Sequence, residues 1–120
     1  MAGGGSLEVQ NSVIFMEDFM TRGMKDAKNR EPHPEMYEAI LSLETMDECI
    51  RFFDDLCSVT ELRAIEQRFQ VARMLNEGHV YNTILEHTGA SSATISRVNR
   101  SLHYGKDGYE IVFKRLDSKG

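Results

Sequence analysis

The sequence predicts an all-α protein, and three observations predict it. Apolar residues recur at helical spacings along nearly the whole chain, residues that start and stop helices punctuate that pattern, and no stretch alternates with the two-residue period of a strand. With 120 residues, 41% of them hydrophobic, there is apolar material for one compact domain and too little for a second independent core.

The elements follow in order. Met1–Gln10 (MAGGGSLEVQ) reads as a flexible leader, because its glycine-rich composition cannot pack. Residues 12–28 set Phe15, Met16, Phe19, Met20 and Met24 at helical spacings, with Gly23 interrupting them, and read as an arm. Residues 1–33 are therefore expected to be a leader or arm, flexible or partly helical, and 34–117 a helical domain. The Glu31-Pro32-His33-Pro34 stretch breaks what precedes it, and Pro34 suits the first turn of a helix carrying Tyr37, Ile40 and Leu41.

Thr45 with Glu48 has the spacing of a capping box and opens a helix whose Cys49, Ile50, Phe52, Phe53 and Leu56 form a broad apolar face. Ser58 with Glu61 repeats the device. The helix it starts, the longest expected, runs through Leu62, Ile65, Phe69, Ala72 and Leu75 to a left-handed stop at Gly78. A short helix over Tyr81–His87 comes next, then the Thr88-Gly89-Ala90 turn and a helix from about Ser92 to Leu102. A last helix opens at Asp107 and spaces Tyr109, Val112, Phe113 and Leu116 at i, i+3, i+4 and i+7. Several helices are apolar over more than one stripe, which in so small a chain points to a second copy covering part of them.

Catalysis finds no anchor in this sequence. Cys49 and Cys57 match no CxxC or Cys/His metal pattern and read as reduced core thiols, and no His pair, nucleophile elbow or phosphate-binding glycine loop occurs. No metal or cofactor is called for, and the chain is not expected to be an enzyme. Without a signal-like start or a bilayer-length apolar run, a cytoplasmic location and no membrane partner are expected.

Charge is uneven. The formal net charge is −5, yet residues 1–56 hold 5 basic against 12 acidic groups and residues 57–120 hold 9 against 7. From His87 to Lys106 there is no acidic residue, while Arg97, Arg100 and Lys106 fall inside that window. A phosphate backbone responds to the field within a Debye length of roughly 8 to 10 Å, and there the sign is positive.

Within this window Gly89 marks a sharp turn between two helices. Ile84 and Ala90 sit where such a pair buries small or apolar groups, and Ile95, Val98 and Leu102 give the second helix an inner face. The spacing is that of a helix-turn-helix. The opposite face then carries Ala93, Ser96, Arg97, Arg100 and Tyr104, flanked at its N-terminal end by Ser92 and Thr94 behind a Ser91 cap. Short hydroxyl and methyl side chains let a helix approach base edges, and arginine takes guanine or phosphate. A carboxylate there would repel the duplex. The helix start adds partial positive charge and free N–H groups.

The run from about Leu43 to Tyr109, above all LCSVTELRAIEQRFQVARMLNEG followed by TGASSATISRVNRSLHYGKDGY, resembles the TrpR-like YerC/YecD family and more distantly the Trp repressors. The resemblance implies an intertwined, all-helical homodimer with a Trp-repressor-like bundle, offering one helix-turn-helix per subunit to a palindromic operator in double-stranded DNA. By position it puts Ser92, Ala93, Thr94 and Ser96 against bases and Tyr81, Asn82 and Thr83 at the start of the preceding helix, near phosphates and base edges. It further implies a small-molecule effector site formed by Ser58, Arg68, Arg97 and Ser101. Where the Trp repressor has glycine after the second arginine, this chain has Val98, whose branched side chain would crowd a flat ring; tryptophan is therefore disfavoured as the effector.

The expected function is that of a sequence-specific transcriptional regulator, repressing by occupancy. The alternative is a protein-interaction module on the same scaffold, using the broad apolar faces and the acidic N-terminal region.

Overall fold

The computed structural model describes residues 30–119, so the expected leader and most of the expected arm lie outside the described residues. It divides into two units, residues 1–43 and 44–120. The first contains α1 (Pro34–Leu41), which starts as its sequence requires: His33 is extended, Pro34 occupies the first turn, and Ser42 closes the far end with its hydroxyl donating to the Ala39 carbonyl at 2.6 Å.

The second unit is five helices: α2 (Met46–Leu56), α3 (Val59–Asn76), α4 (Tyr81–Thr88), α5 (Ser92–Tyr104) and α6 (Gly108–Lys119). No strand occurs among the described residues. The all-α expectation is met, and the helix limits differ from the expected ones mainly at their ends.

Caps explain where the helices begin. At α3 the Ser58 hydroxyl accepts from the Glu61 N–H at 3.1 Å while the Ser58 N–H donates to the Glu61 carboxylate at 2.8 Å, a complete capping box. At α2 the box is only half of what the spacing suggests. Thr45 does accept from the Glu48 N–H at 3.1 Å, but the Glu48 carboxylate takes the Glu44 N–H, one residue further back, at 2.8 Å.

The end of α3 is a Schellman motif. Gly78 adopts φ 91°, its N–H donates to the Leu75 carbonyl, and the His79 N–H donates to that of Met74, both at 3.1 Å. A side chain would be strained at that φ, so the glycine is needed there.

The core sits around the C-terminal half of α3. Val71, Ala72 and Met74 meet Ile84 of α4, Ala90 of the following turn, Ile95 and Val98 of α5 and Phe113 of α6, with Leu75, Leu102 and Tyr109 packed at its edge. Ile84, Ile95, Val71 and Val98 are sealed from solvent, each contributing about 1.5 to 3 kcal/mol by burial. Arg73 ties α6 down: it donates to Asp117 at 3.2 Å, and its guanidinium lies 5.2 Å from the centre of the Phe113 ring.

One expectation about the core requires correction. Cys49 is exposed and Cys57 only half-buried, although both thiols are free. Apart from the cysteines, the broad apolar face of α2 is partly open: Ile50 and Leu56 retain about half their surface and Phe52 and Phe53 are half-buried. On α3 Ile65 and Phe69 are exposed and Leu62 is half-buried, and on α6 Val112 and Leu116 are exposed. For Leu62 and Ile65 the cause is length. At 1.5 Å per residue α3 runs about 27 Å, and α4, α5 and α6 cover only its second half.

Candidate nucleic-acid interface

The candidate site is built on α4, α5 and the turn between them. At the end of α4, Gly89 takes a left-handed φ of 72° and its N–H donates to the Leu85 carbonyl at 2.9 Å. The Thr88 hydroxyl donates to the Ile84 carbonyl at 2.7 Å and accepts from the Ala90 N–H at 3.1 Å, so a single side chain spans the corner. Ala90, at 2% exposed, faces the core, where a larger side chain would push the helices apart.

Ser91 then caps α5. Its hydroxyl accepts from the Thr94 N–H and donates to the Thr94 hydroxyl, both at 3.1 Å. Both side chains are thereby engaged at the helix start, and Thr94 is half-buried. Ser92, Ala93, Ser96, Arg97 and Arg100 are exposed, as is Tyr104 at 81%. Ile95 and Val98 on the reverse side are sealed in the core, so α5 presents to solvent the stripe without carboxylates. Tyr81, Asn82 and Thr83 are exposed along the first turn of α4.

The structure places the four residues expected to hold an effector as follows. Ser58 is exposed and forms the capping box of α3. Arg68, Arg97 and Ser101 are exposed. Ser101 lines a mostly apolar cleft of about 550 Å³ with Phe69, Gly105, Lys106, Gly108, Tyr109 and Val112, and neither Ser58 nor either arginine is among its walls. Val98 is taken up by the core, as its spacing indicated.

Sequence reasoning missed one contact that bears on the site. From α3, the Gln67 side-chain amide donates to the Thr88 carbonyl at 3.1 Å. No periodicity flags such a bond, since a glutamine on a helix surface ordinarily faces water.

The molecule is thus an all-helical protein in which the C-terminal half of a long helix supports two shorter helices joined by a tight glycine corner, the second with an exposed, acid-free stripe. The family model of the Trp repressor protein matches residues 32–117, and the chain belongs to that family. It is 52% identical over 82 residues to the uncharacterized protein YerC of Bacillus subtilis (strain 168), covering 68% of this chain and 79% of that one. The crystal structure of a TrpR-like protein from Eubacterium eligens superposes with a TM-score of 0.68 at 55% identity, over 70% of this chain and 87% of the other. That of a Trp repressor candidate from Staphylococcus aureus gives 0.68 at 50% identity, over 70% and 84%.

Proposed function

We propose that this chain is a sequence-specific DNA-binding transcriptional regulator that works in the cytoplasm as a homodimer, with α4 and α5 as its helix-turn-helix and repression by occupancy of a palindromic operator. One observation carries the reading. The face of α5 opposite the buried Ile95 and Val98 is exposed and bears Ala93, Ser96, Arg97 and Arg100 in a window without carboxylates, on a chain whose net charge is negative.

In this reading Ser92, Ala93, Thr94 and Ser96 meet base edges, where short side chains permit close approach. Arg97 and Arg100 hold phosphate or guanine. Tyr81, Asn82, Thr83 and Ser91 position the pair against the backbone. Membership of the Trp repressor family supports the assignment. The open apolar stripes of α2, α3 and α6 support a second copy as the partner that covers them, because apolar surface of that extent favours burial. Tryptophan is not the effector in this account, since Val98 stands where the Trp repressor has glycine.

Selection of bound fragments from genomic DNA by the purified protein tests the proposal. A shared palindromic motif is expected; fragments with no common motif would favour the interaction-module reading.

A further inference from the structure

We infer that Gln67 is a positioning residue for DNA recognition: through its bond to the Thr88 carbonyl it fixes the orientation of α5 relative to α3, and with it the half-site spacing the protein accepts. The inference rests on the DNA-binding reading above and adds a residue that touches no DNA.

The geometry points this way in three steps. Thr88 is the last residue of α4, where a helix leaves carbonyls without intrahelical partners. Its carbonyl accepts from Gln67 at 3.1 Å, across 21 residues of sequence, in a part-buried setting. From the same residue the hydroxyl grips Ile84 behind and Ala90 ahead, at 2.7 and 3.1 Å, and α5 begins four residues on. One amide from the central helix therefore anchors the corner from which the reading helix departs.

Between α3 and α5 themselves lies apolar packing, with Ile95 and Val98 in one buried cluster with Val71 and Ala72. Such packing holds two helices together without fixing direction sharply, because the hydrophobic effect is non-directional. A hydrogen bond weakens steeply as its angle departs from linear. Here, then, packing supplies most of the stability and Gln67 supplies the angle. In a two-fold pair, an error in that angle displaces both reading helices at once, in opposite senses, so half-site spacing is the property most sensitive to it.

The test uses the full-length protein, the palindrome selected from genomic DNA, and the same palindrome with one base pair added at its centre, which moves the half-sites apart by about 3.4 Å. Binding to both is measured by fluorescence anisotropy for wild type and Gln67→Met, which keeps the side-chain length and loses the donor. Gln67→Met is expected to bind the selected site about fivefold more weakly and to lose about threefold of the preference for native spacing. Gln67→Lys keeps a donor and is expected to restore the preference; any added phosphate attraction cancels in the ratio.

Hydrogen exchange at the Ala90–Thr94 amides is expected to quicken in Gln67→Met while its melting stays cooperative. Should circular dichroism show that this variant does not fold, Gln67→Glu, which sets an acceptor against the Thr88 carbonyl, is read in the same way. A selective wild type with unchanged spacing preference in these variants overturns the inference and leaves the DNA reading standing. A wild type that selects no common site takes both down.

Discussion

Arg73 and Phe113 are joined face to cation, the guanidinium 5.2 Å from the ring centre, and the same arginine reaches Asp117 at 3.2 Å and Glu77 at 3.5 Å. Phe113 is 3% exposed and touches the rings of Tyr109 and Phe69 at 5.8 and 5.7 Å between centres. The bulk of what holds α6 down is thus the ring. Phe113→Ala is expected to cost about 3 to 5 kcal/mol in urea unfolding, and Arg73→Ala, whose side chain is a third exposed, about 1 kcal/mol. Equal effects would mean that the ion pairs rather than the ring anchor α6.

Gly89→Ala tests the corner. Open space surrounds the position, so any penalty comes from the backbone, held at φ 72°. A loss of about 1 to 2 kcal/mol in thermal or urea unfolding is expected, and Gly89→Asn is expected to lose less, since asparagine tolerates the left-handed region.

Acid tests the cap of α3. The Ser58 backbone N–H, and after it the Ser58 hydroxyl bond, hold the Glu61 carboxyl below its ordinary value of 4.5. A carboxylate with a depressed pKa in the folded state adds stability that is present above 4.5 and lost as the pH falls through the folded value. Wild type is therefore expected to shed part of its stability below pH 4.5, and Glu61→Gln to shed less over that window in urea titrations at stepped pH. Identical pH profiles would show that the bond has no thermodynamic weight.

Much of this architecture was legible in the sequence, because it is written in local signals. Ser58/Glu61, Ser91, Gly78 and Gly89 act within a few residues of themselves, and Ile84, Ile95 and Val98 repeat at the helical period. What was not legible depends on distance or on coverage. Cys49, Ile65 and Leu116 carry the same pattern as core residues yet stay open, and for Ile65 it is the reach of α4, α5 and α6 along α3 that decides it. Gln67 gave no sign, since a donor 21 residues from its acceptor leaves no spacing to read.

The absence of tryptophan from the chain makes the effector question easy to put. Added tryptophan is expected to show an unchanged emission spectrum and to leave protein melting where it was. A blue-shifted emission with raised melting would restore it as an effector.

Arg97 and Arg100 are exposed on the same stripe of α5 and separate two modes of contact. Alanine at a phosphate-holding position is expected to weaken binding across sequences and to lower the salt slope by about 1; alanine at a guanine-reading position is expected to relax one base pair of the site at a cost of about 1 to 3 kcal/mol. Binding measured from low to high salt distinguishes them. Unchanged binding in both variants would move the groove-facing surface elsewhere.

Most direct is a carboxylate placed on the stripe itself. Ala93 is exposed in the first turn of α5, where a glutamate favours the helix. Ala93→Glu is therefore expected to melt at or above the wild-type temperature, to elute at the wild-type size, and to lose binding to the selected palindrome by more than a hundredfold. Wild-type affinity in that folded variant would contradict the claim that this face of α5 enters the groove.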